Sequence, residues 1–298
     1  MGETGTTCDS FLGGRICALQ PARGPHRSGH DAVLLAAALP ADFTGTAFDL
    51  GAGSGVAGFA LAARCPGLQV VLAERDPAAL ALARAGLALP ENAAFAGRVR
   101  AIEADVTAPA ARRAAAGLVA GSADAVVMNP PFHRAGAVRA SPDAARAGAH
   151  VLAPEGLEPW LRTAAGLLRP GGVVAVIFPA AGLGPLLAAL GGRFGAVAVL
   201  PVQPRAEAQA IRVVVQAIAG SRGPLALLPP LVLHAGAGPQ PSPAAAAVLR
   251  DGARLPGLPV VAPPRRRTAP AAALPPGGPE TPAARQEGPR DAASPAGG

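Results

Sequence analysis

The chain has 298 residues, half of them hydrophobic, enough for one domain of about 250 residues with a large core and a tail. Its formal charge is +7 and its pI 11.1, but it contains no lysine, so the high pI reflects arginines that titrate very high rather than a dense basic stripe. No basic-then-apolar leader opens the chain and no apolar run reaches about 18 residues, which excludes a helical membrane span and predicts a cytoplasmic protein.

In chain order, the sequence predicts a helix over 31–39, a strand over 47–50 and a helix over 56–64. A strand over 69–73, a helix over 78–88, a strand over 99–104 and a helix over 110–118 follow. Next come a strand at 123–128, a helix at 157–168, a strand at 173–178, a helix at 182–190, and strands at 196–202 and 211–218. Alternating strands and helices predict an α/β, Rossmann-like, doubly wound seven-stranded sheet. The last two strands are joined by a loop at 203–209, too short for a helical crossover, which predicts an antiparallel edge strand. Residues 1–46 form a lead-in beside the ligand site, 47–255 the main domain and 256–298 a tail. That tail is rich in Pro, Ala, Gly and Arg and too poor in large apolar residues to offset ordering. Its triplet Arg265-Arg266-Arg267 reads as solvated. Cys8, Cys17 and Cys65 have neither disulfide nor zinc spacing, so buried thiols and no metal are expected.

Two strand ends carry the chemistry. At the first, Phe48-Asp49-Leu50-Gly51-Ala52-Gly53-Ser54-Gly55 joins strand to helix. Glycines at such a turn let a ligand approach the backbone with no Cβ in the way. Glu74, at the end of the next strand, is placed to accept hydrogen bonds from ribose hydroxyls. Asp105, at the end of the third, is placed to reach an adenine amine or to make ordinary turn bonds. Gly53, Gly55 and Gly58 also fit the dinucleotide spacing, so NAD is the competing cofactor. Two features favour S-adenosylmethionine: the Asp49 carboxylate is unfavourable beside a pyrophosphate but suits the methionine ammonium group, and the later Asn129-Pro130-Pro131-Phe132 has no role in hydride transfer.

At the second strand end stand Asn129, Pro130, Pro131 and Phe132. The exocyclic amine of adenine is a poor nucleophile because its lone pair is shared with the ring. The Asn129 side-chain oxygen and the Pro130 carbonyl can each accept one of its hydrogens, turning the lone pair towards an electrophile. Consecutive prolines stiffen that turn, and Phe132 offers a ring face to a flipped base. The polar residues beyond, with His133, Arg134 and Arg139, read either as a nucleotide-contacting loop or as an ordinary surface loop.

Together, the segments 49–55 and 129–132 resemble the Rossmann-like methyltransferases that act on planar amines in adenine, in rRNA guanine or in protein glutamine. The lead-in, through Phe11-Leu12-Gly13-Gly14-Arg15, Gln20-Pro21 and Arg27-Ser28-Gly29-His30-Asp31, resembles that of the bacterial valine-tRNA adenine-N6 methyltransferases. The likeness runs over roughly residues 9 to 255 and implies that Gly29 and Asp31 lie beside the cofactor. It also implies a tRNA substrate modified near the anticodon, no metal, and a monomer or weak dimer. The chain departs from that pattern at Pro25-His26 and at Gln240 to Pro243, where many relatives carry tyrosines. The alternatives are methylation of rRNA guanine N2 or of protein glutamine, and a non-catalytic RNA-binding module.

Overall fold

The computed structural model describes residues 5–22, 28–131, 156–236 and 238–263. The chain opens with an antiparallel hairpin, β1 (Thr6–Phe11) and β2 (Ile16–Pro21), which the sequence reading missed. Its turn runs through Leu12, Gly13 and Gly14, all at positive φ, a Gly-Gly hairpin signal that was open to inspection. Asn92 fixes the hairpin to the body. Its side-chain oxygen accepts from Cys17 N at 3.0 Å, and its Nδ2 donates to the Cys17 and Gly86 carbonyls. The pairing Asp9↔Ala18 makes Cys8 and Cys17 diagonal neighbours with Cα atoms 6.0 Å apart, and they are joined as a disulfide. This corrects the expectation of free thiols. A nine-residue separation in sequence became a cross-strand contact because of the hairpin. Cys65 alone is a free thiol; it is fully buried, and burial raises its pKa.

The second sheet alternates with helices as predicted. Its strands are β3 (Gly45–Leu50), β4 (Leu68–Glu74), β5 (Val99–Glu103), β6 (Ala123–Met128), β7 (Leu168–Pro179), β8 (Phe194–Gln203) and β9 (Arg212–Ala219). Two short strands, β10 (Ala226–Leu227) and β11 (Leu231–Val232), both pair with β8. The order is β10-β8-β9-β7-β6-β3-β4-β5, with β11 off this path beside β8, so among the described residues the sheet has the seven predicted strands plus two short ones. The predicted antiparallel hairpin of β8 and β9 is present at this end of the sheet. Strand β9 inserts between β7 and β8, antiparallel to both, and β8 then runs parallel to β7.

The helices are α1 (His30–Ala36), α2 (Val56–Arg64), α3 (Pro77–Leu87), the single turn α4 (Ala93–Ala96), α5 (Ala110–Ala115), α6 (Leu157–Leu167), α7 (Leu183–Leu190) and α8 (Pro243–Leu249). Two cores lie on opposite faces of the sheet. One gathers α1, α2 and the hairpin with Phe43, Phe59 and Leu72. The other gathers α6 and α7 with Phe48, Val126 and Phe178. The strands β6, β7 and β9 are buried on both faces, which accounts for their continuous Val/Ala/Ile runs. Helix α8 was not anticipated; Ser242 caps it by accepting from Ala245 N at 3.0 Å. The packed body also runs past the expected boundary at 255. Leu255 N donates to the Ala37 carbonyl at 2.9 Å, and Leu258 is buried. The rest of the expected tail, from 264, lies outside the described residues. Among the described residues, no helix is long and apolar enough to cross a membrane.

Candidate active site

The parallel register brings the two motif-bearing strand ends to one height. Leu50 lies opposite Met128 on β6 and opposite Ala73 on β4. Gly51, Asn129 and Glu74 therefore leave the sheet side by side, from strands about 4.8 Å apart. In open parallel sheets the crevice at such carboxyl ends holds the ligand.

The glycine turn is built by backbone that only glycine adopts easily. Gly51, Gly53 and Gly55 have φ of 69°, 57° and 89°. The position a Cβ would take on Gly53 faces open space, whereas on Gly51 it would come 2.6 Å from the ring of Trp160 on α6. Ser54 Oγ, inside the same turn, is buried without a partner among the described residues. An open cradle with an orphaned hydroxyl fits a polar ligand that lies along the turn.

Two carboxylates organise this turn. Strand alternation points Asp49 to the same face as Ala47, against α2. Asp49 is 2% exposed, and its Oδ2 accepts from Gly58 N, in the first turn of α2, at 2.9 Å. It thus caps the helix from across the turn, a role the sequence did not reveal. Burial pushes its pKa up to about 7; the Gly58 bond opposes this and the charge of Glu74 adds to it. Glu74 accepts from Gly53 N at 2.8 Å through Oε2, and from Arg75 N and Asp76 N through Oε1. It therefore bridges the ends of β3 and β4.

Asp105 is exposed, and its Oδ1 accepts from the Thr107 amide and hydroxyl at 2.8 and 2.7 Å. Desolvation raises its pKa, but the Thr107 bonds and Arg75 outweigh it and the net shift is downward. Asn129 is exposed at the mouth of β6, while Pro130 is buried and Pro131 half-buried, so the turn is anchored and the amide projects from it. Gly29 is the exposed residue preceding α1. Asp31 pairs with Arg212 Nε at 2.7 Å, and Arg212 lies opposite Pro179 at the end of β7, on the Asn129 side of the sheet. Gln20 holds this entry. Its Oε1 accepts from Ser28 N at 2.6 Å, and its Nε2 donates to Asp9. Phe132, His133, Arg134, Arg139 and the Arg triplet of the tail lie outside the described residues. Among the described residues, no group of three or more His, Cys, Asp or Glu could hold a metal.

Sequence reasoning passed over Ser54, Trp160 and Arg212 as site residues. Ser54 stood inside the glycine motif; Trp160 gave no local signal. The chain has a single tryptophan, so its emission reports on this turn alone. Gly51→Ala combines a left-handed backbone penalty with overlap onto Trp160, and should destabilise the fold by about 2–4 kcal/mol. Chemical denaturation followed by Trp160 emission checks this, and an unchanged midpoint would remove the ring from the turn.

A doubly wound sheet with a glycine turn flanked by carboxylates suits a nucleoside-bearing cofactor, and the family match selects the S-adenosylmethionine-dependent methyltransferases. The family model described as "Methyltransferase small domain" matches residues 28–199, and the chain belongs to that family. Its cofactor is S-adenosylmethionine. Among solved structures, it is similar to a predicted O-methyltransferase, Atu636 of Agrobacterium tumefaciens. The two are 34% identical with a TM-score of 0.64, over 80% of this chain and all of that one. It also shares its fold with the Thermus thermophilus 16S rRNA N2 G1207 methyltransferase RsmC, solved with AdoMet and guanosine. There the identity is 24% and the TM-score 0.50, over 72% of this chain and half of that one. No curated protein matches the chain.

Proposed function

We propose that this methyltransferase transfers a methyl group to the exocyclic N6 amine of adenine in RNA, most specifically in tRNA near the anticodon. The observation that carries the reading is the emergence of Asn129, on a proline-anchored turn, from the strand next to the glycine turn. S-adenosylmethionine supplies an electrophilic methyl on a sulfonium. Asn129 Oδ1 and the Pro130 carbonyl accept the two amine hydrogens and aim the lone pair. Phe132 stacks on the base, Glu74 holds the ribose hydroxyls, and Asp49 places negative charge near the ammonium group. Gly29 and Asp31 border the pocket, with Asp31 oriented by Arg212. His133, Arg134 and Arg139 hold nucleotide phosphates. Catalysis is positioning and hydrogen-bond polarisation, and the proton leaves to water once the amine is alkylated. The chain acts in the cytoplasm, as a monomer or weak dimer.

The RNA reading draws support from RsmC, whose structure holds guanosine. The name of the Agrobacterium relative points instead to an oxygen acceptor. A hydroxyl has no second hydrogen to engage a paired acceptor, so the Asn-Pro turn favours the amine. Incubation with tritiated S-adenosylmethionine and total RNA or total protein, then nucleoside and amino-acid analysis, should put the label in N6-methyladenosine of the tRNA fraction. Label in N2-methylguanosine, methylglutamine or a methyl ether or ester would replace this reading.

A further inference from the structure

At the amino ends of the strands, away from the glycine turn, the segments carrying Arg15, Arg64 and Arg254 meet around Gly252 and the end of α1. Arg64 ends α2 and is 5% exposed. Its Nε donates to the Gly252 carbonyl at 2.8 Å, and its Nη1 to the Ala36 and Leu39 carbonyls at 2.5 and 3.1 Å. These bonds tie α1 to the turn after α8. They explain why an arginine is there, but they leave two features unexplained.

The first is the company Arg64 keeps. A Cβ built on Gly252 would run into Nη2 of Arg15, from the hairpin turn, and come 3.4 Å from Cγ of Arg64, so both side chains border this glycine. The charges of Arg15 and Arg254 act on Arg64 in the same unfavourable sense as its burial. Among the described residues, no carboxylate pairs with any of the three. Like charges gathered in a partly desolvated place, with no counter-ion, oppose folding. The second feature is that Arg64 Nη2 and Arg254 Nε are both buried with no acceptor among the described residues. Buried guanidinium donors without partners are rare, and an anion would satisfy both while neutralising the cluster.

We propose that Arg15, Arg64 and Arg254 form a binding site for a phosphate group, either free phosphate or a phosphodiester of bound RNA. Guanidinium forks suit tetrahedral oxyanions, and three cations match a multiply charged one. The site lies at the opposite end of β4 from Glu74, about 20 Å away by strand rise. Phosphate there does not compete with S-adenosylmethionine. The site stands whatever the methyl acceptor is, and only its RNA arm rests on the proposed function.

The test compares the full chain with Arg254→Gln, which leaves the carbonyl bonds of Arg64 in place, and with Arg15→Gln. Thermal unfolding is followed in sodium phosphate and in sodium chloride of equal ionic strength. Phosphate at about ten times its dissociation constant should raise the parent midpoint by about 3–5 °C over chloride, and neither variant should show the rise. In the second arm, total tRNA is titrated over a range of salt. Loss of one phosphate contact lowers the slope of log K against log salt by about 1 in each variant. A phosphate-specific rise assigns the site to the free anion, and a changed slope without it assigns the site to an RNA phosphodiester. If parent and variants agree in both arms, the cluster is only a structural tie and the proposal is overturned.

Discussion

Asn129→Ala should reduce methyl transfer by about 10²–10³-fold, the cost of removing one preorganised hydrogen-bonding group from a transition state, while cofactor affinity stays within about twofold. The side chain is exposed, and no hydrogen bond ties it to the described residues. Its loss should therefore shift stability by less than about 0.5 kcal/mol. That separation of effects makes the variant informative. The glycine turn and Glu74, on neighbouring strands, remain intact, so a rate loss cannot be blamed on the cofactor pocket. Single-turnover transfer from tritiated S-adenosylmethionine gives the chemical step, and calorimetry gives the affinity. A normal rate would remove Asn129 from the reaction. An equal loss of cofactor affinity would make it part of the cofactor pocket.

The fold was legible where one physical signal dominates. The apolar run Ala125–Met128, closed by Asn129-Pro130, reads as a strand buried on both faces, and glycines at 51, 53 and 55 read as a turn. What escaped was set by contacts distant in sequence. The hairpin of residues 6–21 is held by Asn92, and the disulfide follows from its register rather than from cysteine spacing. The position of β9 between β7 and β8 rests on the pairing of Val213, Val214 and Val215 with Phe178, Ile177 and Val176, which sequence spacing does not reveal. In the site, residue types were readable but their partners were not. Glu74 was read as a ribose acceptor, and its bond to Gly53 N appears only when β4 lies beside β3. Asp49 was read as a ligand group, yet its position two residues after Ala47 already placed it on the α2 face. Trp160 and the arginine cluster are invisible in sequence because their neighbours come from distant segments, Gly51 for the ring and residues 15, 64 and 254 for the cluster.

Asp49→Asn should make the protein more stable and the enzyme worse, and both effects should depend on pH. The Asp49 pKa is raised from 3.8 to about 7 by burial. Below about pH 4, folded and unfolded chains both carry the proton, so the group contributes nothing. Between pH 4 and 7 the unfolded chain has released a proton that the folded chain keeps, so stability falls as pH rises. Above pH 7 the ionised, buried carboxylate costs the fold roughly 4 kcal/mol. Asparagine keeps an acceptor for Gly58 N and carries no charge. The variant should match the parent near pH 4 and exceed it by up to roughly 4 kcal/mol at pH 8, as read by urea unfolding at each pH. In its proposed role the cofactor runs the other way, because its ammonium group would stabilise the ionised carboxylate. Parent affinity should therefore rise between pH 5.5 and 7.5, where the ligand amine stays largely protonated, with proton release on binding. Affinity of the variant should stay flat and lie about 10- to 100-fold below the parent at pH 7.5, the worth of a hydrogen bond to a charged group. Calorimetry in buffers of different ionisation enthalpy measures both the affinity and the released proton. If the variant is more stable but binds with parental affinity and the same pH profile, Asp49 only caps α2, and the ammonium group is held by other residues.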